Sequence, residues 1–214
     1  MEAKENRMTK TFKQFLLEEH PTLKSLMDQC GDFLNLSGGH YMLRGMSNAR
    51  EPINYIQNPY DDSDIEYITK TTRQNRTPMD TAVKTHEFID NWFNDHFGFR
   101  ARSQALFVLG KRASYNTLSS YGKTYAIFPI GPIEYVWSPN VPDLFSSMAA
   151  LTPSDEHGYT WEDHLDDFLT RQQYQKDGLE KAALSNCEVM IKCSKYFAFP
   201  ISAWAPIDRY LDGK

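Results

Sequence analysis

Apolar side chains recur at three- and four-residue steps over residues 9–36, where Phe12, Phe15, Leu16, Leu23, Leu26 and Met27 predict two short helices broken at Pro21. The cluster Ser37-Gly38-Gly39 closes that region, and the run Tyr41 to Met46, apolar apart from Arg44 and flanked by glycine, predicts a buried strand. Residues 49–77 are polar and predict a long excursion holding one short strand. From Thr81 to Phe97 the helical period returns. Val83, Phe88, Ile89, Trp92, Phe93 and Phe97 make one apolar face, and Gly98 supplies the stop. Ala105–Leu109, Thr124–Ile130 and Ile133–Trp137 read as strands, with a short helix at Ala113–Leu118 and an acidic helix at Thr160–Arg171. The last two apolar runs, Cys187–Ile191 and Tyr196–Ile201, are joined by a polar link and predict a β-hairpin. Helices early and strands late make the class α+β.

The chain is 214 residues long with 24% charged residues, which fits one or two globular domains and excludes wholesale disorder. The reading divides it into a helical segment, 1–36, and a body, 37–214. No apolar run reaches the roughly 18–20 residues needed to cross a bilayer. Residues 1–7 lack the apolar core of a secretory signal. A net charge of −5 provides no global field for nucleic acid. The three cysteines (Cys30, Cys187 and Cys193) are odd in number and lack Cys-x-x-Cys spacing, as expected of reduced thiols in a cytoplasm. The six histidines are scattered, so no metal site is expected. Glycine-rich phosphate loops and a Gly-x-Ser-x-Gly elbow are absent, which removes the Rossmann, P-loop and α/β-hydrolase readings.

Three polar residues interrupt or flank the strand-like runs. Arg44 places a fixed positive charge in an apolar strand, which requires an anionic partner, either a protein carboxylate or a ligand phosphate. Ser103 opens the run that leads into Ala105–Leu109. Glu188 lies inside Ser185–Ile191. There, a period of two puts Cys187, Val189 and Ile191 on one face and Asn186, Glu188 and Met190 on the other, cleft-facing or solvent-facing side. Taken singly, each is an ordinary structural residue.

Their order is distinctive: Leu43-Arg44-Gly45, then a serine-led strand, then Glu188-Val-Met-Ile followed by Lys195-Tyr-Phe-Ala-Phe. It resembles the arginine–serine–glutamate class of ADP-ribosyltransferases, shared by bacterial toxins, vertebrate ectoenzymes and bacteriophage enzymes. The resemblance covers about residues 40–200. It implies a split, two-sheet β core around an NAD-binding cleft, preceded by the N-terminal helices. It further implies a mono-ADP-ribosyltransferase that cleaves NAD+ at the nicotinamide–ribose bond, with NAD+ as substrate and no metal. The acceptor would be a macromolecule, a protein in preference to a nucleic acid.

On the same resemblance Arg44 would hold the cofactor's phosphates and the Gly45 backbone would approach the nicotinamide carboxamide. Ser103 would orient the catalytic carboxylate, and Glu188 would bind ribose and stabilise the oxocarbenium-like charge. Phe107 or Tyr121, with Tyr115 and Tyr125, are the aromatics that would stack on nicotinamide. Asn186 stands two residues before Glu188, where arginine-modifying members carry Gln or Glu, so it bears on acceptor choice. The serine strand reads Arg102-Ser-Gln-Ala where many members have Ser-Thr-Ser.

Residues 9–18 resemble the opening helices of tailed-phage proteins, and Leu16-Leu17-Glu18 is similar to the Leu-x-Glu pattern cut by phage head proteases. A phage origin would place the protein in the host cytoplasm or in the virion head, with 1–36 as a leader. Two alternatives remain: a non-catalytic nucleotide- or partner-binding module on the same fold, and an internal phage-head protein. Arg76, Arg100 and Arg102 are read as solvated, as is the acidic cluster Glu162, Asp163, Asp166 and Asp167. Trp137, Trp161 and Trp204 are read as packing residues.

Overall fold

The computed structural model describes residues 21–47, 51–58, 63–78, 81–113, 118–149, 151 and 160–204. Tyr115 and the helix expected before Pro21 fall outside them. In chain order the elements are α1 (Pro21–Asp28), α2 (Gly31–Leu36), β1 (Met42–Met46), β2 (Ile53–Gln57), β3 (Asp64–Thr71), α3 (Val83–Phe97) and α4 (Ala101–Gln104). There follow β4 (Leu106–Leu109), β5 (Lys123–Ile130), β6 (Glu134–Trp137), α5 (Leu144–Ala149), α6 (Trp161–Arg171), α7 (Leu179–Ala183), β7 (Glu188–Lys192) and β8 (Lys195–Pro200).

The α+β class holds. The strands, expected as two separate sheets, instead form one antiparallel eight-stranded sheet in the order β2-β3-β8-β5-β1-β4-β7-β6. Its join is uneven. β1 and β5 share five register pairs and β5 and β8 share six, whereas β1 and β4 meet at the single pair Leu43–Leu109. The sheet also cannot lie flat. Four strand spacings separate β7 from β8, about 19 Å in a plane. The chain passes from Lys192 to Lys195 in three residue steps, a reach of about 11 Å. The short β5–β6 link imposes the same demand. The sheet therefore folds back on itself, bringing the ends of β5, β6, β7 and β8 to one corner.

That geometry corrects the expected terminal hairpin. β7 pairs with β4 and β6, and β8 with β3 and β5, so the two runs lie in different parts of the sheet. Two further corrections concern placement. The excursion 49–77 contains two strands, β2 and β3, which pair at the sheet edge; β2 is exposed at four of its five residues, and an edge tolerates such polarity. Ser103 does not open a strand but lies in α4, the turn of helix before β4.

Alternation along β4, β6 and β7 feeds two cores. Leu106, Val108, Tyr135, Trp137, Val189 and Ile191 join the main core with Met27, Phe33, Phe128, Phe199 and Trp204. Val136 and Met190 turn to a second core under α3, α5 and α6, built on Trp92, Phe93, Leu144, Leu165 and Leu169, with Phe107 packed at its edge. Helix α3 presents Ile89, Trp92 and Phe93 to this core, but Val83, counted on the same face from the sequence, is 60% exposed. Gly98 ends α3 with φ 81° and its N–H on the Asn94 carbonyl, as expected. Thr160 and Asp163 cap α6 reciprocally, and Glu162, Asp163, Asp166 and Asp167 are exposed. Leu23, Met27, Cys30 and Phe33 bury α1 and α2 in the main core.

Candidate functional site

Three adjacent strands, β1, β4 and β7, carry Arg44, Phe107 and Glu188. Leu109 on β4 is the register partner of both Leu43 and Glu188. Glu188 therefore stands two strand spacings, about 10 Å, from the residue next to Arg44. The arginine and glutamate singled out in the sequence converge where the sheet is least continuously joined.

The side of β7 opposite its main-core residues is not open to solvent. Glu188 is 8% exposed, and its Oε2 accepts a hydrogen bond of 3.2 Å from the Leu144 N–H at the start of α5. Burial raises its pKa above the ordinary carboxylate value. Arg102 opposes that rise, Asp143 adds to it, and the Leu144 N–H and Arg76 oppose it. The outcome is a carboxyl with an enlarged neutral fraction beside several cations.

Arg44 donates through an Nη to the Phe107 carbonyl, stitching β1 to β4 beside their single register pair. Its Nε is buried without a partner. Burial lowers its pKa, with Tyr196 and Glu188 opposing and Arg73 reinforcing. Arg76 and Arg102 lie over the Phe107 ring, their guanidinium carbons 4.3 and 4.9 Å from its centroid. Burial, then Arg44 and Arg102, hold the Arg76 pKa down to about 10. Among the described residues no carboxylate lies within ion-pair distance of Arg44, Arg76 or Arg102. The Tyr174 hydroxyl is another buried group without a partner, and burial followed by the charge of Glu188 raises its pKa.

Asp90, on α3 and 3% exposed, holds the turn that carries Arg102 and Ser103. Its Oδ1 accepts from the Arg102 N–H at 2.8 Å and the Ser103 N–H at 3.1 Å. The Ser103 carbonyl in turn accepts from the Arg76 N–H at 3.1 Å. The described hydrogen bonds of Ser103 are thus made by its backbone, and the described hydrogen bond to the Glu188 carboxylate comes from Leu144.

Gly45 is required, but by the chain itself. A Cβ there would sit 2.1 Å from the Leu118 carbonyl oxygen and 2.9 Å from Tyr121 Cβ, so the packing of the 118–121 segment against β1 requires a glycine. Tyr121 is 64% exposed. Asn186 is exposed in the turn before β7. Arg100 is exposed too, whereas Arg76 and Arg102, read as solvated, are half-buried at the centre of the cluster. Tyr174, Asp143 and the Leu144 N–H carry no local sequence signal. They reach the site only through the packing of α5 and the 172–178 turn.

Among the described residues no group of His, Cys, Asp and Glu could hold a metal ion, and no helix is long and apolar enough to cross a membrane. The three cysteines are buried free thiols, and burial pushes Cys30 up to about 12. No protein-family model, no curated protein and no solved structure matches the chain.

Proposed function

We propose that this protein is a mono-ADP-ribosyltransferase that uses NAD+ and modifies a macromolecular acceptor, with protein side chains preferred to nucleobases. The observation that carries the reading is the buried Glu188 carboxyl, within electrostatic reach of Arg44, Arg76 and Arg102 and one strand from the Leu43–Leu109 join. In the reaction the bond between ribose C1′ and the nicotinamide nitrogen breaks, and its electron pair stays with nicotinamide. An acceptor nucleophile forms the new bond to C1′ and releases its proton. Positive charge grows on the ribose as nicotinamide leaves, so an ionised Glu188 held in place stabilises the transition state more than the ground state. The arginines supply the opposite charge for the phosphates. The weak β1–β4 join is where a cleft between two halves of the sheet would open.

Labelled NAD+ incubated with bacterial lysate and the protein tests the reading. Label on protein, with a loss of 100-fold or more in Glu188→Gln, is expected for removal of a charge-stabilising group. Equal labelling by the variant and the parent would overturn the assignment.

A second reading, a nucleotide-binding module without turnover, is favoured by one observation. Glu188 is 8% exposed and already engaged by Leu144, and so is shielded from a ribose hydroxyl. That reading predicts NAD+ binding with no release of free nicotinamide from either protein.

A further inference from the structure

We infer that Arg76 and Arg102, both resting on the Phe107 ring, form a clamp for the diphosphate of a small nucleotide ligand, and that Arg44 acts first as a tie across the sheet. The inference rests on the transferase reading for the identity of the ligand, and it reassigns the phosphate grip that the family resemblance gives to Arg44.

Arg44 spends an Nη on the Phe107 carbonyl, beside the single register pair that joins β1 to β4. That bond links two strands of the sheet. Arg76 and Arg102 have no such commitment of their charge. Arg76 makes one long contact of 3.4 Å to the Ala105 carbonyl, and the Arg102 Nε is buried without a partner. Because both guanidiniums lie on one ring, their carbons can be no further apart than the sum of their distances to its centre. Two forks so placed suit two linked phosphates better than one carboxylate.

Like charges collected in this way repel one another, and the chain gathers them deliberately. Asp90 pins the backbone of Arg102, and the Ser103 carbonyl pins that of Arg76, so the two side chains spring from adjoining points. Arg44 and Arg73 add to the positive field at Arg76, which Glu188 opposes, while Asp90 and Asp143 stand beside Arg102 and Glu188. A bound dianion relieves the repulsion. A small ligand is favoured over a nucleic acid because Arg76 and Arg102 are half-buried, while the net charge of −5 repels a long polyanion.

Glu188 is then a competitor of the bound phosphates as well as a partner of ribose, which gives the test a sign. Calorimetric titration of the full chain with inorganic pyrophosphate should show saturable binding, weakened about tenfold or more in Arg76→Gln and in Arg102→Gln. Arg76→Lys and Arg102→Lys, which keep the charge but lose the fork, should fall between. Glu188→Gln should bind pyrophosphate more tightly than the parent, and the exposed control Arg100→Gln should match it. Circular dichroism of each variant separates lost binding from lost folding.

Parental affinity in folded Arg76→Gln and Arg102→Gln would overturn the inference. So would a single-stranded oligonucleotide binding more tightly than pyrophosphate. Arginine-dependent pyrophosphate binding without NAD+ cleavage would leave the clamp standing and remove the transferase. Glu188-dependent NAD+ cleavage with an unchanged KM in both arginine variants would do the reverse.

Discussion

Glu188 faces opposing demands. Catalysis as proposed needs it ionised, whereas burial favours its neutral form. A carboxyl whose folded pKa lies above its unfolded value binds its proton more tightly in the folded state, so it reduces stability as pH rises between the two values. The reduction is absent below about pH 4.5, the ordinary glutamate value, and complete above the raised one. Glu188→Gln should therefore melt close to the parent at pH 4 and above it at pH 7, as thermal unfolding at the two pH values will show. Any transferase activity should move the other way and climb as pH rises through the same window. A melting gap independent of pH would mean that the carboxyl is not perturbed.

At the scale of elements, α4 is only four residues long, yet it sets the position of Arg102 and Ser103. A helix so short has little stability of its own, and Asp90 supplies what it lacks by accepting two of its N–H groups. Asp90→Ala should cost about 2–4 kcal/mol, since it leaves two donors facing a gap, and should weaken pyrophosphate binding through Arg102. Asp90→Asn keeps an acceptor and should lose less in both denaturant titration and binding. Equal losses in the two variants would mean that the carboxylate charge, not its hydrogen bonds, holds the turn.

Elements were also where sequence reasoning was most uneven. The helical period of α3, its stop at Gly98 and the alternation of Cys187, Val189 and Ile191 against Met190 are local, and they read correctly. Val83 broke the α3 pattern because it is the first residue of the helix and stands 60% exposed, outside the core that Ile89, Trp92 and Phe93 enter. The hairpin expectation failed because a short polar link looks the same whether the next strand folds back on its neighbour or leaves for another part of the sheet. Arg44 and Glu188 stood out because charge is costly among apolar neighbours. Arg76 and Arg102 did not, because their stretches are polar and only the fold brings both onto Phe107. The Leu144 N–H is a backbone group and has no sequence signature.

For the whole molecule, the decisive feature is a sheet that bends back on itself and is thinly joined between β1 and β4. Strands joined by one register pair and one arginine should separate before strands joined by six pairs. Amide hydrogen exchange should therefore be faster at the facing backbone of β1 and β4 than between β5 and β8. Uniform protection across the sheet would show that the join is as strong as the rest. A ligand gripped beside that join, as Arg76, Arg102 and Glu188 would grip it, should slow exchange there.

Alternation along β7 has a further reach. Val189 and Ile191 belong to one core and Met190 between them to the other, so consecutive positions of one strand answer to different halves of the protein. A damaging change at Met190 would be rescued by second-site changes among Trp92, Leu144 or Leu165. One at Val189 would be rescued among the partners of Phe128 and Phe199. Suppressors of neighbouring lesions would thus fall into two separate sets, and Glu188, at the head of the strand, would inherit the drift of both.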